Sequence, residues 1–244
     1  MTKPIEYMHF ETVASTNTWV KEHATSLNPE GVTCVFASEQ TAGRGRFNRK
    51  WLSAKGNNVY ATLYLCLPKN FPYIGNLSQI LSLACVQILE QKGFHPQIKW
   101  PNDILVNEKK IAGVLCETME RDDQIGIALG IGVNVDISQS LLDTIDQPAT
   151  SLSQLSGQTW KREQLLQPIV DLFLKQLETL RKEGFAPFVP AYTQLLAFKE
   201  KPITHHDGHR TIEGVYESIN DKGQLVLRLA SGELTPLFSG EIKK

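Results

Sequence analysis

The chain has 244 residues, with 25 lysines and arginines against 26 aspartates and glutamates, for a net charge of −1. That balance argues against a global basic footprint for nucleic acid, although a local basic patch can sit inside a neutral total. Apolar residues make up 41% and charged residues 21%, ordinary globular usage that excludes disorder or a coiled coil as a description of the whole.

In chain order, Ser15-Thr16-Asn17 reads as a helix start, with Ser15 or Thr16 capping a short helix over residues 19–24. Residues 32–38 and 59–67 are rich in β-branched and aromatic side chains and predict strands. Leu77, Ile80, Leu81, Ala84, Ile88 and Leu89 follow helical spacing over 76–91, with Gly93 as the stop. Strands are then predicted over 97–100, 104–106, 111–118 and 125–133. Short turns at 107–109 and 121–123 separate the last three, as in an antiparallel meander. Leu165, Ile169, Phe173, Leu177 and Leu180 form the apolar stripe of a second long helix over 161–182, ended by Gly184. Pro168 either kinks it or marks its first turn. Beyond about residue 196 the texture changes to short strands at Ile203, 211–216, 224–229 and 234–238, separated by glycine turns. We therefore expect an α+β domain over 1–195 with a mixed, largely antiparallel sheet, followed by a small β-barrel over 196–244.

No run approaches the roughly 20 apolar residues a bilayer-spanning helix needs, and the best, residues 80–89, is broken by Ser82 and Gln87. The N-terminus lacks the apolar core of a signal peptide. Cys34, Cys66, Cys85 and Cys116 lie far apart in apolar surroundings, so reduced, buried thiols and a cytoplasmic location are expected.

The chemistry concentrates in two places. Residues 40–51 contain Gly43-Arg44-Gly45-Arg46 followed by Arg49, Lys50 and Trp51, four cations within seven residues and no apolar periodicity. Such a loop suits an anion, most simply phosphate, since its glycines permit close approach and nothing in the pattern anchors it to a core. A merely solvated loop is the alternative. The run is neither a P-loop nor a dinucleotide fingerprint, because no helical pattern follows the glycines. The second place is Lys99-Trp100-Pro101-Asn102-Asp103, where Ile98 and Trp100 face away from Lys99 and the lysine stands at a strand end beside a turn. Gly130-Ile131-Gly132-Val133-Asn134 ends another strand. The histidines of 205–209 read as a solvated turn rather than a metal site.

Taken together and in this order, Ser15-Thr16-Asn17, the 40–51 loop, Lys99-Trp100-Pro101-Asn102-Asp103, Lys110-Ile111-Ala112-Gly113, residues 130–134 and Ser239-Gly240-Glu241 resemble the biotin protein ligases. The resemblance spans essentially the whole chain. It implies a catalytic domain of the biotin/lipoate ligase type followed by an SH3-like barrel. It also implies a two-step reaction in which biotin and ATP form biotinyl-5′-AMP and the acyl group passes to a lysine of a biotin carboxyl carrier protein.

By that resemblance, Ser15, Thr16, Asn17 and Gln40 bind the ureido ring, and Gly43, Arg44, Gly45 and Arg46 close over the ligand. Gly130 and Gly132 line the site with Asn134. Trp51 is either apolar wall or plain core. Lys99 and Arg46 are the catalytic candidates, and Arg44, Arg46, Arg49, Lys50 and Asn134 face the nucleotide. Mg²⁺ is expected with ATP, its ligands unassigned, and the loop is expected to order when ligand binds. The chain departs from the family at Asn48, where many members carry glycine. It also lacks a tryptophan between Asn134 and Trp160, which leaves the adenine contacts unassigned.

A lipoate–protein ligase is the near alternative, disfavoured by the Gly-Arg-Gly-Arg and Lys-Trp-Pro-Asn-Asp runs. A biotin-responsive repressor is the distant one. Because Ser15-Thr16-Asn17 begins 14 residues into the chain, a preceding helix-turn-helix, and with it DNA binding, is not expected. Neither is membrane association. Monomer and homodimer both stay open.

Overall fold

The computed structural model describes residues 5–208 and 210–244. Its first body is a seven-stranded mixed sheet built from β1 (Ile5–Val13), β2 (Val32–Gln40), β3 (Val59–Pro68), β4 (Pro96–Lys99), β5 (Asp103–Val106), β6 (Lys109–Arg121) and β7 (Gln124–Val133). The strand order is β1-β2-β3-β7-β6-β5-β4. The β1–β2 pair is parallel and the other neighbours are antiparallel. The predicted meander is β5-β6-β7. Its first turn has Asn107 and Glu108 at φ of 52° and 60°, the left-handed geometry that a two-residue hairpin demands.

Alternation decides what each face of the sheet carries. On β7, Ile127, Leu129, Ile131 and Val133 join the main core, while Gly126, Ala128, Gly130 and Gly132 line the opposite face. β3 follows suit, sending Val59, Ala61, Leu63, Leu65 and Leu67 into that core and Tyr64 and Cys66 into a second, smaller one. Two helices cover the main-core face: α2 (Leu77–Gln91) and α5 (Glu163–Glu183). The opposite face takes α1 (Thr16–His23) and is otherwise left open by its glycines.

All five residues of the expected α5 stripe are buried. Gly184 ends the helix at φ 74°, and Pro168 lies inside it rather than at its start. Three further short helices, α3 (Gln139–Leu142), α4 (Leu152–Ser156) and α6 (Val189–Gln194), connect these parts. Ser151 Oγ accepts from Gln154 N as the α4 cap.

β1 was not expected. As an edge strand exposed on both faces it shows no clean period of two, which is why its pattern is silent. Trp100 leaves β4 earlier than expected, at a cis Trp100–Pro101 peptide, but it is buried as its parity required.

The second body is a five-stranded antiparallel sheet of β8 (Pro202–His206), β9 (Thr211–Ile219), β10 (Leu225–Arg228), β11 (Leu234–Leu237) and β12 (Glu241–Lys243), in the order β11-β10-β9-β8-β12. β11 and β12 form its two unjoined edges among the described residues. It packs on the first body through the 222–223 turn, whose Gly223 carbonyl accepts from Trp100 Nε1 at 3.0 Å and Gln79 Nε2 at 2.7 Å. His205 corrects the solvated-turn reading. It is 1% exposed and its Nε2 donates to the Ser239 carbonyl at 2.7 Å, while His209 falls outside the described residues. Cys34, Cys66 and Cys85 are buried free thiols, and Cys116 is a free thiol at intermediate burial. Burial pushes the thiols of Cys34, Cys85 and Cys116 up to about 12.

Candidate active site

On the glycine face a cavity of about 500 Å³ opens between α1, the basic loop, the β4–β5 turn and the edge of the second sheet. The sequence-predicted Ser15, Thr16, Asn17, Gln40, Arg44, Gly45, Arg46, Arg49, Lys50, Trp51, Lys99, Gly130, Gly132 and Asn134 all line it. Gly43 does not line it. A Cβ there would stand 2.5 Å from the Trp51 carbonyl and 2.6 Å from Ser53 Oγ, so Gly43 is required for close packing at the neck of the loop.

One end of the cavity is neutral and highly connected. Ser15 caps α1 by accepting from Thr18 N, and the helix start lies in the wall. Gln40 Oε1 accepts from Thr16 N at 2.8 Å and Thr16 Oγ1 at 3.1 Å, and its Nε2 donates to Ser53 Oγ at 2.9 Å. Asn17 Oδ1 accepts from Thr62 Oγ1 at 2.6 Å. A Cβ on Gly130 would lie 2.1 Å from that same Oδ1, so only glycine admits Asn17 to the wall. Gly113 and Gly132 are cross-strand partners and together form a flat seat for the Trp51 ring. Cβ atoms there would come within 3.2 Å and 2.4 Å of the indole, so Trp51 is cavity wall and not core.

The other end is cationic. Lys99, at the end of β4, shares the cavity wall with Lys110, whose Nζ pairs with Asp103 at 2.7 Å and lies 5.3 Å from the centre of the Trp51 ring. Burial holds the Lys99 ammonium below the usual lysine value. Lys110 and Arg49 add to this, against the pull of Asp103 and Glu241. Burial likewise lowers Arg46, with Asp103 and Glu241 opposing. Such depressed cations gain most when an anion arrives to share the desolvated space.

The basic loop is anchored, contrary to the expectation from its pattern. Arg44 and Lys50 bridge across it, Gly45 N donates to the Arg49 carbonyl at 2.7 Å, and Trp51 N to that of Gly43 at 2.9 Å. Arg46 Nη1 donates to Asn102 Oδ1 at 3.0 Å and to the Gly240 carbonyl at 3.1 Å, while Arg49 pairs with Glu241 at 2.6 Å. Local spacing could not reveal the anchors at Asn102, Gly240 and Glu241, because they lie more than 50 residues from the loop in the chain. Gly240 has φ 125° and leaves no room for a Cβ beside His205. It therefore turns its carbonyl to the loop in a backbone shape that other residues rarely take.

The sequence assigned no site role to several wall residues: Lys110 and Asn102, which lie in motifs it did quote, and the 144–147 segment, where no tryptophan stands. Trp160 is elsewhere, packed on Phe94. Behind the neutral end, also unforeseen, is Glu117. It accepts from Lys21 Nζ at 2.8 Å, Asn17 Nδ2 at 3.0 Å and Arg44 Nη2 at 3.0 Å. Burial pushes its carboxyl up, but the bonds from Lys21 and Asn17 and the Arg44 charge more than offset this and hold it below the usual range. Among the described residues no three His, Cys, Asp or Glu side chains gather as a metal cage. Of the carboxylates in the cavity wall, Asp103 pairs with Lys110 and Glu241 with Arg49.

Comparison with known proteins agrees with this geometry. The Biotin/lipoate A/B protein ligase family matches residues 9–134. A bifunctional ligase/repressor BirA from Bacillus spizizenii is 33% identical over 96% of this chain and 72% of its own length. A biotin–[acetyl-CoA-carboxylase] ligase from Paracoccus denitrificans is 32% identical over 89% of this chain and 92% of its own. The structure of a biotin protein ligase from Aquifex aeolicus in complex with biotin and ATP superposes with a TM-score of 0.82 at 28% identity, covering 98% of this chain and 97% of the other. With a neutral, hydrogen-bonding end, a cationic end and this kinship over nearly its full length, the chain belongs to the biotin protein ligases of the Biotin/lipoate A/B protein ligase family.

Proposed function

We propose that this protein is an ATP-dependent biotin–protein ligase that makes biotinyl-5′-AMP and passes the biotinyl group to a lysine of a biotin carboxyl carrier domain. One observation carries the reading: a single cavity joins the hydrogen-bonding end at Ser15, Thr16, Asn17 and Gln40 to the cationic end at Lys99, Lys110, Arg46 and Arg49. A ureido ring has two N–H donors and a carbonyl that must be paired once desolvated, and the neutral end offers both kinds of partner. Its acid chain would cross the Trp51 seat and bring the carboxylate to the lysines.

In the first step a biotin carboxylate oxygen attacks the α-phosphorus, the bond to the bridging oxygen breaks, and pyrophosphate leaves. Two anions must approach, and a unit charge pair at 4 Å is worth about 4 kcal/mol at an effective dielectric near 20, against about 1 in water. Lys99 and Lys110 supply that charge from partly buried positions, while Arg46, Arg49 and Lys50 face the departing pyrophosphate. In the second step the carrier amine attacks the acyl carbon, AMP leaves with the bonding pair, and the amine gives up a proton. The same lysines balance charge on the leaving phosphate. Mg²⁺ would enter with ATP, its shell supplied mostly by phosphates and water with few carboxylates, and would neutralise phosphate charge there. We place the catalytic unit in residues 1–195 and assign 196–244 a supporting part, since Gly240 and Glu241 hold the basic loop. Among the described residues no helix is long and apolar enough to cross a membrane, and a cytoplasmic location fits the free thiols.

The deciding test is mass spectrometry of a carrier domain after incubation with the protein, biotin and Mg-ATP, with lipoate in a parallel arm. A biotinyl mass increment on one lysine is expected. Adenylation of lipoate alone would overturn the reading.

A further inference from the structure

We propose that Glu117 is a positioning residue for ligand binding, fixing the orientation of the Asn17 amide and tethering Arg44 over the neutral end of the cavity. The inference rests on the function proposed above. Glu117 does not itself line the cavity, but it gathers three donors from two separate segments: Asn17 and Lys21 on α1, and Arg44 in the basic loop.

An ionised carboxylate can only accept hydrogen bonds. Together with the Leu115 carbonyl, 3.4 Å from Asn17 Nδ2, it forces the amide nitrogen outward and the amide oxygen toward Thr62 and the ring-binding wall. The wall therefore presents an acceptor at Asn17, beside Thr16, whose N–H and hydroxyl are already given to Gln40 Oε1. For a ligand carrying both N–H and C=O groups that arrangement is discriminating, because a reversed amide would set donor against donor.

The Arg44 contact acts on a different coordinate. Its guanidinium reaches both oxygens of Glu117, at 3.0 and 3.3 Å, and so draws the start of the basic loop against β6. Lys21, whose side chain is 37% exposed and which does not line the cavity, supplies a second cation to the carboxylate. One acidic group thus joins the end that reads the ring to the loop that covers the phosphates.

The test uses the full chain with E117A, E117Q and K21M, measuring biotin affinity by calorimetry, release of preformed biotinyl-5′-AMP, the KM for ATP, and Tm. E117A is expected to weaken biotin binding about tenfold and to speed adenylate release by a similar factor, with the KM for ATP within about threefold. E117Q retains an acceptor for Asn17 but loses the charge that holds Arg44. It should therefore recover most of the biotin affinity and still release adenylate faster. K21M should stay within about threefold of wild type in both ligand readouts. Wild-type biotin affinity and adenylate release in E117A, with only Tm lowered, would overturn the proposal by reducing Glu117 to a structural ion pair. If E117A does not fold, unchanged adenylate release in E117Q overturns it instead. Failure of the wild-type protein to form biotinyl-5′-AMP would count against the functional reading, not against this one.

Discussion

Gly130→Ala is the sharpest perturbation the structure offers. The new methyl would lie 2.1 Å from Asn17 Oδ1 and 3.0 Å from its Cγ. β7 cannot yield, because it is paired along its length with β3 and β6. The amide must therefore retreat by about 1 Å, the distance needed to restore an ordinary carbon–oxygen contact. That movement lengthens the 2.6 Å bond from Thr62 and the 3.0 Å bond to Glu117. Overpacking costs about 1–3 kcal/mol in stability, and the disturbed buried amide about 1–3 kcal/mol more of local satisfaction. Since 1.4 kcal/mol is a factor of ten, biotin affinity should fall roughly 10- to 100-fold.

Gly126→Ala is the control on the same strand and face. Its methyl meets chiefly the Met119 side chain, at 2.8 Å, and that flexible thioether can turn away. Calorimetric titration with biotin, paired with thermal unfolding, separates the two sites. Wild-type biotin affinity in G130A, or equal losses in G126A and G130A, would refute the assignment of Asn17 and Gly130 to the ring-binding end.

Three further outcomes are expected. Lys99→Ala should abolish adenylate formation while largely sparing biotin binding, measured by pyrophosphate release and calorimetry respectively. Lys99 ionises below the lysine value of 10.5, so it is charged below that lowered pKa and loses its charge as pH rises through it. The alkaline limb of kcat/KM for ATP should therefore fall below pH 10.5 and move upward in K99R, whose guanidinium stays charged. Glu241→Gln removes the carboxylate that holds Arg49 at 2.6 Å. Amide exchange over residues 43–48 should accelerate in the free protein and slow again with biotin and ATP. Exchange in the wild-type loop that is indifferent to both ligands would argue against ligand-linked closure.

Much of the fold was legible because its signals are local. The α5 stripe repeats with helical spacing and all its members are buried. The β5-β6-β7 meander is punctuated by residues suited to tight turns, and the apolar and small positions of β7 alternate as the two faces require. β1 was illegible for the opposite reason: an edge strand exposed on both faces has no burial to imprint a period. The loop anchors escaped because Arg46 and Arg49 find their partners 56 to 194 residues away. A string of cations gives no sign of such partners.

The sequence alone drew attention to residue types that line the cavity, since glycines, a basic run and Lys99-Trp100-Pro101-Asn102-Asp103 are chemical statements readable without coordinates. It could not say which glycines serve ligand space and which serve packing. Only the fold separates Gly43, crowded by Trp51 and Ser53, from Gly130 and Gly132 in the cavity wall. Nor could it show Glu117 beneath Asn17 and Arg44, or Lys110 beside Lys99. Those groupings arise from sheet register and packing between distant segments, which bring charges together at distances that chain spacing does not encode.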